Sequence, residues 1–141
     1  MTKSSSAHAS ARPRIVLTAG EHAVLTSLAE RSAARDTAVG EYLAEELSRA
    51  YIVPDDARTP NVVRMGSKVT YREEKTGRTR TVTVVYPREA DIEQQRVSVL
   101  TPIGAALIGL SPTQSIEWQA PDGEPGLLTV LAVEQAEPVS Q

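Results

Sequence analysis

Side-chain chemistry needs a nucleophile, a titratable base or a set of metal ligands at workable spacing, and this chain offers few. It has no Cys, which removes thiolate nucleophiles, thiolate metal sites and disulfides together. Its two His, His8 and His22, stand in a polar tail and at the opening of a helical pattern. Neither has a second ligand at metal-binding spacing, so both read as surface residues. No Ser or Thr has a His nearby to activate it. Carboxylates gather at Glu45 and Glu46, Asp55 and Asp56, Glu73 and Glu74, and Glu89, Asp91 and Glu93. All fall on expected exposed helix faces, turns or loops, where a solvated carboxylate keeps its ordinary pKa, so they read as solvated charge. Gly104 and Gly109 are too sparse to cradle a phosphate, and no dinucleotide fingerprint is present. The expectation is a chain with no cofactor, no metal, no small-molecule substrate and no catalysis of its own.

What remains is recognition, and the charge pattern carries the first hint of it. The net charge of −3 conceals blocks of opposite sign. Lys3, Arg12 and Arg14 precede Thr18 without an acid, and the stretch from Thr18 to Asp56 holds eight acids against three bases. Between Ala57 and Arg80 the sign reverses, with seven bases against Glu73 and Glu74. Arg72, Arg78 and Arg80 are the candidate basic patch on the strands of this stretch, and solvated strand faces account for the same residues. With no Phe, one Trp and four Tyr, the core must be aliphatic. No apolar run reaches the roughly 18 residues of a membrane span, and the start lacks the apolar stretch of a secretory signal, so a cytoplasmic protein is expected.

The elements that must position these residues follow from periodicity. Residues 1–14 are Ser- and Ala-rich without period and read as a disordered tail. Residues 15–56 read as a helical hairpin. Thr18 with Glu21 forms a capping-box pattern ahead of Val24, Leu25, Leu28 and Ala29. Asp36 caps a second helix whose face carries Val39, Leu43, Leu47, Ala50 and Tyr51 and which runs to about Ile52. Pro54 to Pro60 is a linker.

Residues 57–135 switch to a period of two. Strands are expected at Lys68–Glu73 and Arg78–Tyr86, joined through Gly77, then at Arg96–Leu100, Ser115–Gln119 and Leu127–Val133. Thr101 caps and Pro102 opens a short buried helix over Ile103–Ile108, stopped by Gly109. A Pro121, Asp122, Gly123 turn joins the last two strands, and residues 136–141 fray. The fold class is α+β: a short antiparallel helical hairpin plus an antiparallel sheet of about five strands with one short helix.

The string Val97-Ser98-Val99-Leu100-Thr101-Pro102-Ile103-Gly104-Ala105-Ala106-Leu107-Ile108-Gly109-Leu110, followed by Ile116-Glu117-Trp118 and Pro121-Asp122-Gly123, resembles the C-terminal domain of Gre-type transcription factors. It looks closer still to the Rnk branch, the regulators of nucleoside diphosphate kinase. Gly66-Ser67-Lys68-Val69 and Val84-Val85-Tyr86-Pro87-Arg88-Glu89-Ala90-Asp91 extend the likeness to about Val62–Val133.

The resemblance implies a C-terminal domain of the FK506-binding-protein type that holds RNA polymerase beside its secondary channel, with the hairpin pointing into the channel. It places the polymerase contact on Leu100, Thr101, Pro102 and Ile103. In Gre factors the hairpin is much longer and its tip carries Asp, two residues, Glu, a pair that steadies a magnesium ion in the polymerase. Here the tip holds Arg31, Arg35, Asp36 and Glu41, with the acids wrongly spaced and two Arg flanking the turn. Ala105 also stands where Gre factors tend to carry a basic residue. Both departures favour a bacterial regulator that modulates elongation without stimulating transcript cleavage, and that meets DNA or RNA only within the polymerase complex.

Two other readings compete. A free-standing nucleic-acid binder would use the basic residues 58–80, but the chain is acidic overall and lacks stacking aromatics among its bases. A prolyl isomerase would need a ring-lined pocket, and Tyr42, Tyr51, Tyr71, Tyr86 and Trp118 are the only aromatic side chains available.

Overall fold

A computed structural model describes residues 13–34, 38–59, 61–119 and 124–135. The two tails, the hairpin-tip residues Arg35 and Asp36 and the Pro121–Gly123 turn lie outside them.

The N-terminal half begins with strand β1 (Val16–Thr18), helix α1 (Ala19–Ala34) and helix α2 (Ala38–Ser48). Thr18 Oγ1 accepts the Glu21 N–H at 3.2 Å, so the cap forms as its residue types require. The Glu21 carboxylate does not complete the box. It turns to Arg64 Nε and the Met65 N–H, each at 3.3 Å, and ties the helix start to the β-rich half.

The second helix stops at Ser48, short of the expected end near Ile52. Tyr51–Val53 forms strand β2 and pairs in parallel with β1, Val16 opposite Tyr51 and Thr18 opposite Val53. Residues of high β preference found a strand partner close by, which a single-helix reading cannot anticipate. His22 occupies this junction, half-buried, with Nε2 3.0 Å from the Leu47 carbonyl oxygen; as that oxygen can only accept, the ring donates. It is an interhelical clamp and not merely a surface residue.

The second half carries strands β3 (Lys68–Glu73), β4 (Thr79–Val85), β5 (Arg96–Ser98), β6 (Ser115–Gln119) and β7 (Pro125–Glu134), with helix α3 (Pro102–Leu107) between β5 and β6. They form one sheet in the order β5-β4-β3-β7-β6. The sheet is mixed, which corrects the all-antiparallel expectation: β5 pairs with β4 in parallel, Thr83 opposite Arg96. Residues 86–95, including 3₁₀ turns at Pro87–Glu89 and Ile92–Gln94, carry the chain back to the level at which β5 starts. A tight turn would have reversed the strand instead.

The core is mainly aliphatic, with Tyr71 and Trp118 as its buried rings, and continuous across both halves. Ile15, Leu17, Leu25, Leu43 and Leu47 join Val63, Val69, Leu107, Ile108, Leu110, Ile116, Leu128 and Val130 in one cluster. Val24, expected on the inner stripe of α1, is 46% exposed. Glu46, expected on a solvated face, is 1% exposed. It stands three and one residues from Leu43 and Leu47 on the inward face of α2, and Arg49 Nη2 lies 3.1 Å from both of its carboxylate oxygens. A charge buried at that depth needs such a partner.

Candidate protein-docking site

The segment Leu100–Ile103 is built by the end of β5 and held by Ser98. Ser98 Oγ accepts the Leu100 N–H at 3.0 Å, and the Ser98 carbonyl takes both the Thr101 N–H at 3.0 Å and the Thr101 hydroxyl at 2.7 Å. Thr101 Oγ1 in turn accepts the Gly104 N–H at 3.1 Å and caps α3. Pro102 follows at the first helical position, where the missing N–H costs nothing. Gly104 permits the tight approach: a Cβ there would lie 2.1 Å from the Ser98 carbonyl oxygen. The outcome is a rigid corner. Pro102 is exposed, Leu100, Thr101 and Ile103 are half-buried, and both apolar neighbours pack on the core.

Pro102 and the buried Ala105 share a shallow cleft with Ala38, Val39, Tyr42 and Trp118. The Tyr42 hydroxyl donates to the Glu117 carbonyl at 2.9 Å and fastens α2 to the edge strand β6. The wall supplied by α2 has no counterpart in the sequence pattern. Residue spacing alone gives no signal that a helix near residue 40 lies against a corner near residue 102. Ala105, on α3, lines the opposite side of the cleft, which a long basic side chain at that position would occupy.

The remaining candidates are dispersed. Glu41 is exposed in the first turn of α2, and Arg31 is exposed in the last turn of α1. Arg31 lines a second groove together with Val24, Leu28, Tyr86, Pro87 and Arg88. Burial, and after it the Glu21 and Glu89 carboxylates, push the Tyr86 phenol above its ordinary value.

The three arginines of the expected basic patch do not share a face. Arg80 stands opposite Tyr71, whose side chain is in the core, whereas Arg72 stands opposite Thr79 on the reverse side of the sheet. Arg72 Nη2 is 3.0 Å from Glu74, and Arg80 Nε is 3.5 Å from Glu73. The acids within the basic stretch thus partly neutralise it. Among the described residues no group of His, Cys, Asp and Glu is placed to hold a metal ion.

A helical hairpin fused to a small mixed sheet with one capped helix is the architecture of a transcription factor family. The chain belongs to the family described as "Transcription elongation factor, GreA/GreB, C-term", which its residues 58–135 match. The regulator of nucleoside diphosphate kinase of Escherichia coli K12 is 33% identical over 123 residues, 87% of this chain and 90% of that protein. Transcription elongation factor GreA of Chloroflexus aggregans is 41% identical over 87 residues, 62% of this chain and 55% of that protein. The solved GreA/GreB factor of Nitrosomonas europaea superposes with a TM-score of 0.67 at 31% identity, covering 87% of this chain and 99% of that one. No helix among the described residues is long and apolar enough to cross a membrane.

Proposed function

We propose that this chain is a regulator of the Rnk type that binds RNA polymerase near its secondary channel and modulates elongation without stimulating transcript cleavage. The observation that carries the reading is the hairpin. Its 16- and 11-residue helices rise only about 24 and 16 Å at 1.5 Å per residue. Leu25, Ala29, Leu43 and Leu47 are buried where the two helices pack on each other and join the common core. So short a hairpin has little reach as a probe. Toward its tip the described acids are Glu30 and Glu41, one on each helix, and Glu30 is followed directly by an exposed cation, Arg31. A magnesium ion held by a polymerase would gain little from that arrangement.

The exposed Pro102 corner supplies a fixed, mainly apolar surface for docking, consistent with the family resemblance and with an FK506-binding-protein type of body. Two measurements test the reading. Immobilised full-length chain is expected to capture purified core polymerase. In a backtracked elongation complex it is expected to leave the rate of RNA cleavage at its basal value. Stimulated cleavage that disappears in the Asp36→Ala, Glu41→Ala double variant would refute the proposal, as would failure to capture polymerase.

A further inference from the structure

The groove beside α1 has no part in the docking corner. It is open, about 500 Å³ in volume, and lined by Val24, Leu28, Tyr86 and Pro87 together with the exposed Arg31 and Arg88. An apolar lining that includes cations fits an apolar side chain flanked by carboxylates. The same chain presents that feature immediately after the groove. Ile92 is 88% exposed, far more than any other large apolar residue among those described. It opens a short 3₁₀ turn between Asp91 and Glu93. The Asp91 carboxylate is used within the turn, where it accepts the Glu93 N–H at 3.1 Å, and it fixes the projection of Ile92. Among the described residues no ion pair holds Arg31, Arg88 or Glu93.

We propose that the groove receives the Asp91-Ile92-Glu93 turn of a second copy of this chain. Each copy carries both the knob and the groove, and Tyr86–Arg88 directly precedes the turn in sequence. A two-fold axis passing between them would therefore form both contacts at once. Ile92 of one copy would sit on Val24, Leu28 and Tyr86 of its mate, with Glu93 facing Arg88. The contact is small and its rim is charged, which makes a weak, salt-sensitive dimer and not an obligate one.

Sedimentation equilibrium of the full-length chain, run at low and at high salt, tests this. The wild type is expected to self-associate, and less so at high salt. Ile92→Ser and Arg88→Glu each change one exposed side chain and should leave the fold intact by circular dichroism. Each should weaken association at least about tenfold, equivalent to 1.4 kcal/mol.

The decisive arm is a mixture of Arg88→Glu with Glu93→Arg. Alone, each places like charges across both contacts of its homodimer. Mixed, they place opposite charges across both, so a heterodimer should form with close to wild-type strength. A wild type that stays monomeric, variants that associate as the wild type does, or a mixture that fails to pair would each overturn the inference. If Arg88→Glu leaves self-association unchanged and weakens only polymerase capture, the groove's occupant is the polymerase and the inference also fails.

Discussion

Two glycines separate the effects of space and of backbone conformation. Gly104 is helical, and any side chain there would run into the Ser98 carbonyl oxygen and the Val99 backbone, at 2.1 and 2.9 Å from the Cβ. Backbone cannot step aside as a side-chain tip can. Gly104→Ala is expected to destabilise the fold by about 3 kcal/mol in urea denaturation, the upper range for overpacking. Gly77 has φ +76° with nothing within 4 Å of where a Cβ would sit, so Gly77→Ala should cost only the left-handed strain of about 1 kcal/mol. Equal losses at the two sites would contradict this distinction. At the proposed docking corner, Thr101→Ala removes a formed cap at a cost of about 1 kcal/mol. Pro102→Ala alters exposed surface with little effect on the helix. The double variant should therefore stay folded while polymerase affinity falls at least about tenfold, or 1.4 kcal/mol. Unchanged affinity in a folded double variant would move the contact elsewhere.

Between elements, the outer face of the sheet is laced by polar pairs. Thr70 meets Thr81 at 3.0 Å across β3 and β4, and Ser115 meets Thr129 at 2.7 Å across β6 and β7. Glu74, just past β3, takes hydrogen bonds from Arg72 and from Thr129 of β7. First the Arg72 hydrogen bond and then that from Thr129 hold the Glu74 carboxyl below its usual value. A group with a lowered folded-state pKa stabilises the fold above its unfolded pKa, and that contribution is lost as pH falls through the folded one. Glu74 should thus titrate below the ordinary glutamate range in an NMR titration. Glu74→Gln should lose stability at neutral pH relative to the wild type, and the gap should close in acid. A gap that stays constant down through the acid range would mean that Glu74 does not tie the two strands.

For the whole molecule, the question is whether the hairpin is an appendage or part of one folding unit. Charge and period both change near residue 57, which favours a separate domain from there onward. The core, however, runs through the boundary. The Val16 N–H donates to the Gly109 carbonyl at 3.1 Å, and the Gly109 N–H donates to the Val63 carbonyl at 2.8 Å. A Cβ on Gly109, whose φ is +82°, would lie 2.4 Å from Ile15 Cβ. Removing residues 1–56 would uncover Val63, Ile108 and Leu110, all fully buried. The truncated chain is expected to keep far-UV circular dichroism of a sheet and to lose near-UV signal and cooperative melting, as a loosely packed core does. Sharp, cooperative unfolding of the fragment would restore the two-domain view.

Sequence by itself determined what local rules can decide. The Thr18 and Thr101 caps, Pro102 at a helix start, the alternation of Val69 and Tyr71 and of Val82 and Val84, and the aliphatic core all follow from short-range sterics and spacing. The family likeness rests on the same local string from Val97 to Leu110. Only the tertiary structure decided which element each side chain meets. Tyr51–Val53 became a strand because Val16–Thr18, more than thirty residues away in the chain, lay beside it. The sheet became mixed because two 3₁₀ turns returned the chain to its starting level. Glu46 went inside because the face it shares with Leu43 and Leu47 was covered. Arg72 and Arg80 parted because pairing register assigned them opposite faces, and α2 closed a cleft on Pro102 that no spacing rule describes. Propensity fixes what a segment can be, while long-range packing fixes what it touches, and recognition depends on the second.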